Sequence, residues 1–194
     1  MKKIISFFQR NYEGDRLVRD EIVPGAEWVA NGEGVATRKW DGTCCMVRAG
    51  HLFKRYDVKQ GRAAPLGFEP AQGANDVTGH QPGWLEVGNG NEDRWHREAC
   101  GPQQNADAVE LPDGTYELCG PKVQSNPEGF AAHVLVPHGA DVLENVPRDF
   151  SGLKAYFERA CVEGIVWHHP DGRMVKIKAK DFGYKRLPVA TVTK

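Results

Sequence analysis

Val35-Ala36-Thr37-Arg38-Lys39-Trp40-Asp41-Gly42 ends a strand-like run on a lysine and turns at an Asp-Gly pair. It follows Gly32-Glu33-Gly34 and precedes two further strand-like runs, residues 43–47 and 52–56, joined at Ala49-Gly50 as a hairpin. A lysine at a strand-to-turn junction, beside a glycine such as Gly42, can come close to a bound phosphate. Its amine is a nucleophile once burial or neighbouring cations favour the neutral form, and Arg38 is adjacent in the chain. Alone, K-x-D-G is a short pattern that chance supplies often, and a surface lysine explains it equally well. Its weight comes from the residues further along the chain.

Arg55 lies near the end of the second hairpin run. Tyr116-Glu117-Leu118-Cys119-Gly120 puts a carboxylate inside a strand, between apolar residues. Glu163-Gly164-Ile165-Val166-Trp167 puts another at a strand start, and Lys176-Ile177-Lys178 puts two lysines at i and i+2. Period-two alternation sends Lys176 and Lys178 to one face and Val175 and Ile177 to the other. Two ammonium groups on one face repel each other, an arrangement that makes sense if an anion such as a phosphate sits by them. Each carboxylate taken singly also fits a rim charge or a salt bridge.

Most of the remaining chain reads as short strands and turns. Pro112-Asp113-Gly114 is a turn ahead of a strand at 115–119, and 134–136 is another short strand. The best helix is 151–162, where Leu153, Tyr156, Phe157, Ala160 and Cys161 recur at helical spacing. Residues 164–168 and 173–178 form a hairpin around Pro170-Asp171-Gly172. Residues 63–112 are rich in Gly, Pro, Asn and Gln and read as an irregular insertion, with Trp84 and Trp95 arguing that part of it packs. The expectation is one antiparallel-rich α+β domain over residues 1–194.

With 194 residues, 40% hydrophobic and 26% charged, the composition is that of an ordinary globular domain. No apolar run approaches the roughly 20 residues that span a bilayer. The first ten residues lack the apolar core and cleavage site of a signal peptide, so a cytoplasmic protein without a membrane partner is expected. Five cysteines, with no C-x-x-C pair, make neither a disulfide framework nor a zinc motif and read as buried free thiols. The net charge of -1 hides a sorting of charge. Residues 38–62 hold seven Lys/Arg against two acidic residues, and 173–186 hold six against Asp181 alone. Residues 63–172 hold six basic and seventeen acidic. Two basic blocks suit contact with nucleic-acid phosphates if folding joins them, and are otherwise two solvated faces.

K-W-D-G, Arg55, Y-E-L-C-G, E-G-I-V-W and K-I-K, in that order, resemble the ordered motifs of the covalent nucleotidyltransferase superfamily, which comprises polynucleotide ligases and RNA capping enzymes. The match runs from about Ala36 to Tyr184. Asp76-Val77-Thr78-Gly79-His80, Trp95-His96-Arg97-Glu98, Asn126-Pro127-Glu128 and His133-Val134-Leu135-Val136-Pro137-His138-Gly139 look like the one-domain RNA ligase family that includes the vertebrate RNA ligase. The resemblance implies a nucleotidyltransferase (ATP-grasp-like ligase adenylation) domain with a 63–112 insertion. Only sixteen residues follow Lys178 here, so no OB-fold domain is expected.

The same resemblance implies an ATP-dependent RNA ligase. Lys39 would take AMP as a phosphoramidate, pass it to a 5′-phosphate RNA end, and allow a 3′-hydroxyl to close the phosphodiester. Arg38, Lys39, Gly42, Arg55, Glu117, His133, Glu163, Lys176 and Lys178 would bind ATP. Among them Glu117 would take the ribose hydroxyls, His133 the adenine, and Lys176 and Lys178 the α-phosphate. Glu163, with Glu117, would hold Mg²⁺ or Mn²⁺. The alternatives are a DNA ligase, a GMP-transferring capping enzyme, a non-catalytic nucleotide or RNA-end binding module, and a zinc protein, the last disfavoured by its spacings.

Overall fold

The computed structural model describes residues 2–76, 78–101 and 110–186. Position 77 of the Asp76–His80 likeness, and 102–109 of the expected insertion, lie outside the described residues. The protein is mixed α+β, with mostly antiparallel sheets and few helices. In chain order the strands are β1 (Ile5–Ser6), β2 (Phe8–Arg10), β3 (Val18–Ile22), β4 (Val35–Lys39), β5 (Thr43–Arg48), β6 (His51–Val58), β7 (Glu69–Pro70), β8 (Gln81–Glu86), β9 (Gly114–Cys119), β10 (Val134–Pro137), β11 (Gly164–His168) and β12 (Met174–Lys178). The helices are α1 (Glu27–Ala30), α2 (Arg94–Ala99) and α3 (Phe150–Phe157). No helix is long and apolar enough to cross a membrane.

The chain divides into two compact units, one taking in Asp41–His138, the other Ile4–Trp40 and the chain from Gly139 onward. The boundary falls inside the K-W-D-G motif, between Trp40 and Asp41. In the first unit six strands form one sheet in the order β10-β9-β5-β6-β8-β7. The β5–β6 hairpin turns where expected, with Ala49 and Gly50 both at positive φ, 51° and 77°, the backbone a two-residue hairpin turn demands. Its core gathers Cys45, Val47, Leu52, Tyr116 and Leu118 with Val87, Cys100 and Val123.

The structure corrects the expectation of an irregular 63–112. β8 pairs with β6 along six residues and carries β7 on its other edge, and α2 follows. Gly83 permits the close approach of β7, because a Cβ there would sit 2.4 Å from the Glu69 carbonyl oxygen. Arg55, too, lies inside its strand, since β6 runs on to Val58.

In the second unit a four-stranded sheet has the order β1-β12-β11-β4, with β1 parallel to β12 and the rest antiparallel. One face buries Trp167, Ile165, Val175 and Ile177, each at 0% exposure, against Phe7, Phe8, Leu153 and Phe157. Burying a side chain of this size stabilises by roughly 1.5–3 kcal/mol. The helix expected at 151–162 is the shorter α3. The Asp149 carboxylate caps it by accepting from the Gly152 amide at 2.8 Å, and Leu153 and Phe157 face the core one turn apart. All five cysteines are free thiols, and Cys161 is exposed rather than buried.

Candidate active site

The register of the second unit's sheet puts Lys39, Gly164 and Lys178 directly opposite one another on β4, β11 and β12. Thr37, Val166 and Lys176 form the next row on the same face. The alternation expected for K-I-K is present: Val175 and Ile177 are buried and Lys176 and Lys178 half-buried. Neighbouring strands are about 4.8 Å apart, so the two outer lysines of a row start roughly 10 Å from each other. The middle position must be glycine, because a Cβ on Gly164 would lie 2.3 Å from the Ile177 carbonyl oxygen.

Glu163, the residue before that glycine, fills the space between the two lysines. Lys39 Nζ donates to its Oε2 and Lys178 Nζ to its Oε1, both at 2.5 Å. The side chains are 13% (Glu163), 20% (Lys39) and 18% (Lys178) exposed, so water screens the cluster only partly. Burial works against the charged carboxylate, but the Lys39 and Lys178 ammonium groups outweigh it and hold the Glu163 carboxyl below its ordinary value. Two ammonium groups and one carboxylate sum to a net positive charge, suited to an anion with several oxygens. Lys39 Nζ also donates to the Trp40 carbonyl at 3.2 Å, and the Arg38 guanidinium lies 4.0 Å over the Trp40 ring.

Two residues outside the motifs steady this row. The buried Asp181 carboxylate accepts the Lys178 amide at 3.0 Å and is itself paired with Arg10. The main chain of Lys178 is thereby fixed where β12 passes into a short 3₁₀ turn, Ala179–Phe182. The only signal in the sequence is an aspartate three residues beyond the second lysine.

In the first unit the Asp-Gly part of the motif is held by carboxylates. The Asp41 amide donates to Glu128 Oε1 at 2.9 Å, and the Gly42 amide to Glu117 Oε1 at 3.1 Å. Gly42 is required by packing, since a Cβ would stand 2.1 Å from the Leu118 carbonyl oxygen. Glu117, 7% exposed, has its other oxygen 2.8 Å from His138 Nε2. Arg55 lies over the Trp84 ring at 5.1 Å. His133 is buried. Its ring is stacked on Trp95 at 4.6 Å, its Nδ1 bonds to Glu98 at 2.8 Å, and its Nε2 accepts the Lys122 amide at 3.2 Å. One ring face and both nitrogens are thus engaged by the protein. The nine residues singled out from sequence therefore include two contact groups, Lys39–Glu163–Lys178 and Gly42–Glu117, with Lys176 beside the first. His133 makes its hydrogen bonds elsewhere.

Comparison with known proteins gives concordant results. The family model for RNA ligase 1 matches residues 104–193. RNA ligase 1 of Danio rerio is 29% identical over 224 aligned positions, covering 80% of this chain and 69% of the relative. RNA ligase 1 of Mus musculus is 27% identical over 218 positions, covering 77% and 67%. The same figures hold for that of Rattus norvegicus. The family model and the relatives bear out the resemblance read from the sequence: over about four fifths of its length this chain is similar to proteins named RNA ligase 1.

Proposed function

We propose that this chain is an ATP-dependent RNA ligase of nucleotidyltransferase fold, working through AMP linked to Lys39. The observation that carries the reading is the Lys39–Gly164–Lys178 row with the Glu163 carboxylate clasped between its ammonium groups. A lone surface lysine has no such setting. The ordered motifs and the RNA ligase relatives supply the reaction class.

In the first step the Lys39 amine attacks the α-phosphorus of ATP. A P–N bond forms, the P–O bond to pyrophosphate breaks, and a proton leaves Nζ. Glu163 Oε2, 2.5 Å away, is the acceptor at hand for that proton. Lys178 and Lys176 share its face and stabilise the charge that grows on the phosphoryl oxygens, the kind of preorganised term that usually dominates catalysis. AMP then passes to an RNA 5′-phosphate, and a 3′-hydroxyl displaces it. Glu117 takes the ribose hydroxyls, while Gly42, Arg38 and Arg55 serve the nucleotide or the RNA end.

Glu163 is the residue we assign to Mg²⁺ or Mn²⁺, since a carboxylate is the hard oxygen ligand these ions prefer. Bound there, the ion supplies charge neutralisation for the triphosphate. Glu117 fits that role less well, because its neighbours His138 and Cys44 bring nitrogen and sulfur.

The test is incubation with α-labelled ATP and Mg²⁺ or Mn²⁺, followed by denaturing electrophoresis. Label should stay on the protein without RNA, and 5′-phosphorylated RNA should discharge it and become joined. Label from GTP in preference to ATP, or a labelled protein that RNA never discharges, would defeat the reading.

A further inference from the structure

We propose that Cys44, Glu117 and His138 form a binding site for one transition-metal dication of the zinc class. Cys44 and Glu117 are directly opposed across the β5–β9 ladder. Glu117 is opposed by Val136 on β10, and His138 follows that strand's last residue. Sheet register thus gathers three donors that are far apart in sequence, which is why local spacing shows no zinc motif. One ligand atom from each lies within 4.8 Å of the other two, the only such group among the described residues.

The donor set decides the class of ion. A thiolate, an imidazole and a carboxylate suit Zn²⁺, Co²⁺ or Ni²⁺, whereas Mg²⁺ and Ca²⁺ prefer oxygen alone. Ligand atoms around tetrahedral Zn²⁺ are about 3.3–3.8 Å apart. No gap here exceeds 4.8 Å, so binding closes the widest by at most roughly 1–1.5 Å. The outer contacts are those of a metal ligand set. Thr115 Oγ1 lies 3.0 Å from His138 Nδ1, leaving Nε2 directed at Glu117 Oε2, 2.8 Å away. The Gly42 amide holds Glu117 Oε1 and leaves Oε2 for the ion. Protons balance simply: the neutral imidazole carries its one hydrogen on Nδ1 facing Thr115 instead of on Nε2, the ion takes the place of the hydrogen bond between Nε2 and Oε2, and Cys44 loses its thiol proton to solvent. Three protein ligands leave a fourth position for water.

The site shares Glu117 with the ribose role proposed for that residue, and it is tested without nucleotide, so it stands or falls apart from the ligase reading. The full chain is titrated with Co²⁺ and then Zn²⁺. One Co²⁺ per chain should bind, with a thiolate-to-cobalt charge-transfer band that Zn²⁺ abolishes. Cys44→Ser should lose the band, His138→Ala should bind at least tenfold more weakly, and Cys161→Ser, at the exposed thiol, should match the unchanged protein. A band that survives in Cys44→Ser, or disappears in Cys161→Ser, overturns the proposal. X-ray absorption of the zinc-loaded unchanged protein covers the case of a variant that does not fold. It should show one sulfur at about 2.3 Å among nitrogen and oxygen ligands, and either no sulfur or two would refute the site.

Discussion

Lys39 and Lys178 stand two strands apart in one row of the sheet, and the Glu163 carboxylate bonds to both at 2.5 Å. The three side chains form one electrostatic unit in which each lysine is neutralised at the other's expense. A polyphosphate entering this face offers both ammonium groups new partners and frees the carboxylate.

Glu163→Gln should lower the adenylylation rate by more than about tenfold, at least about 1.4 kcal/mol in the barrier. It should also change the acid response of the fold. The folded-state carboxyl lies below 4.5, its ordinary value. Its charge therefore stabilises the fold above that value, and the contribution is lost as pH falls through the lower, folded-state value. Denaturant melts should show unchanged protein above the variant at neutral pH, the gap shrinking below pH 4.5. A gap that stays constant through the acid range contradicts the ion-pair account.

Gly164→Ala should be destabilising by about 1–3 kcal/mol, as overpacking usually is, because its methyl group meets the Ile177 carbonyl oxygen at 2.3 Å. It should also spread the lysine row and cut adenylylation. Chemical denaturation with a single-turnover assay checks both. An alanine variant as stable and active as the parent would mean that the close strand approach does not matter.

Lys178→Ala and Lys176→Ala should each slow single-turnover adenylylation by at least tenfold while changing ATP affinity less. Lys178, which touches Glu163, should show the larger loss. If both variants lose affinity and keep their rate at saturating ATP, the lysines bind the ground state and do not serve the transition state.

His133→Ala separates two roles. With its buried ring stacked on Trp95 and both nitrogens bonded, its removal should cost about 1–3 kcal/mol of stability, because a cavity is left beside Trp95. An adenine-stacking role adds a raised KM for ATP. Lost stability with an unchanged KM assigns the residue to the core alone.

The parts legible in the sequence are those with strict local periodicity or turn chemistry. The β5–β6 hairpin with Ala49-Gly50 and the alternating face of β12 are readable because two-residue turns and period-two strands leave local marks. β8 is hidden for the opposite reason. Gln81-Pro82-Gly83-Trp84-Leu85-Glu86 carries a proline and a glycine and does not alternate, yet pairing with β6 and β7 makes it a strand. Lys39, Glu163 and Lys178 are each visible as motif residues. Their joining into one ion cluster, across 124 positions of chain in one pair, depends on register alone. The same holds for Cys44 and His138 beside Glu117, and for Arg10 on Asp181, where no local pattern marks the partner.

The central claim is that Lys39 carries the AMP. The direct measurement is peptide mapping of the protein after reaction with ATP and metal ion, alongside the Lys39→Ala variant. The account predicts AMP on the peptide containing Lys39, with no adduct and no RNA joining in the variant. An adduct on another residue, or a Lys39→Ala protein that still takes up AMP and seals RNA, would contradict it.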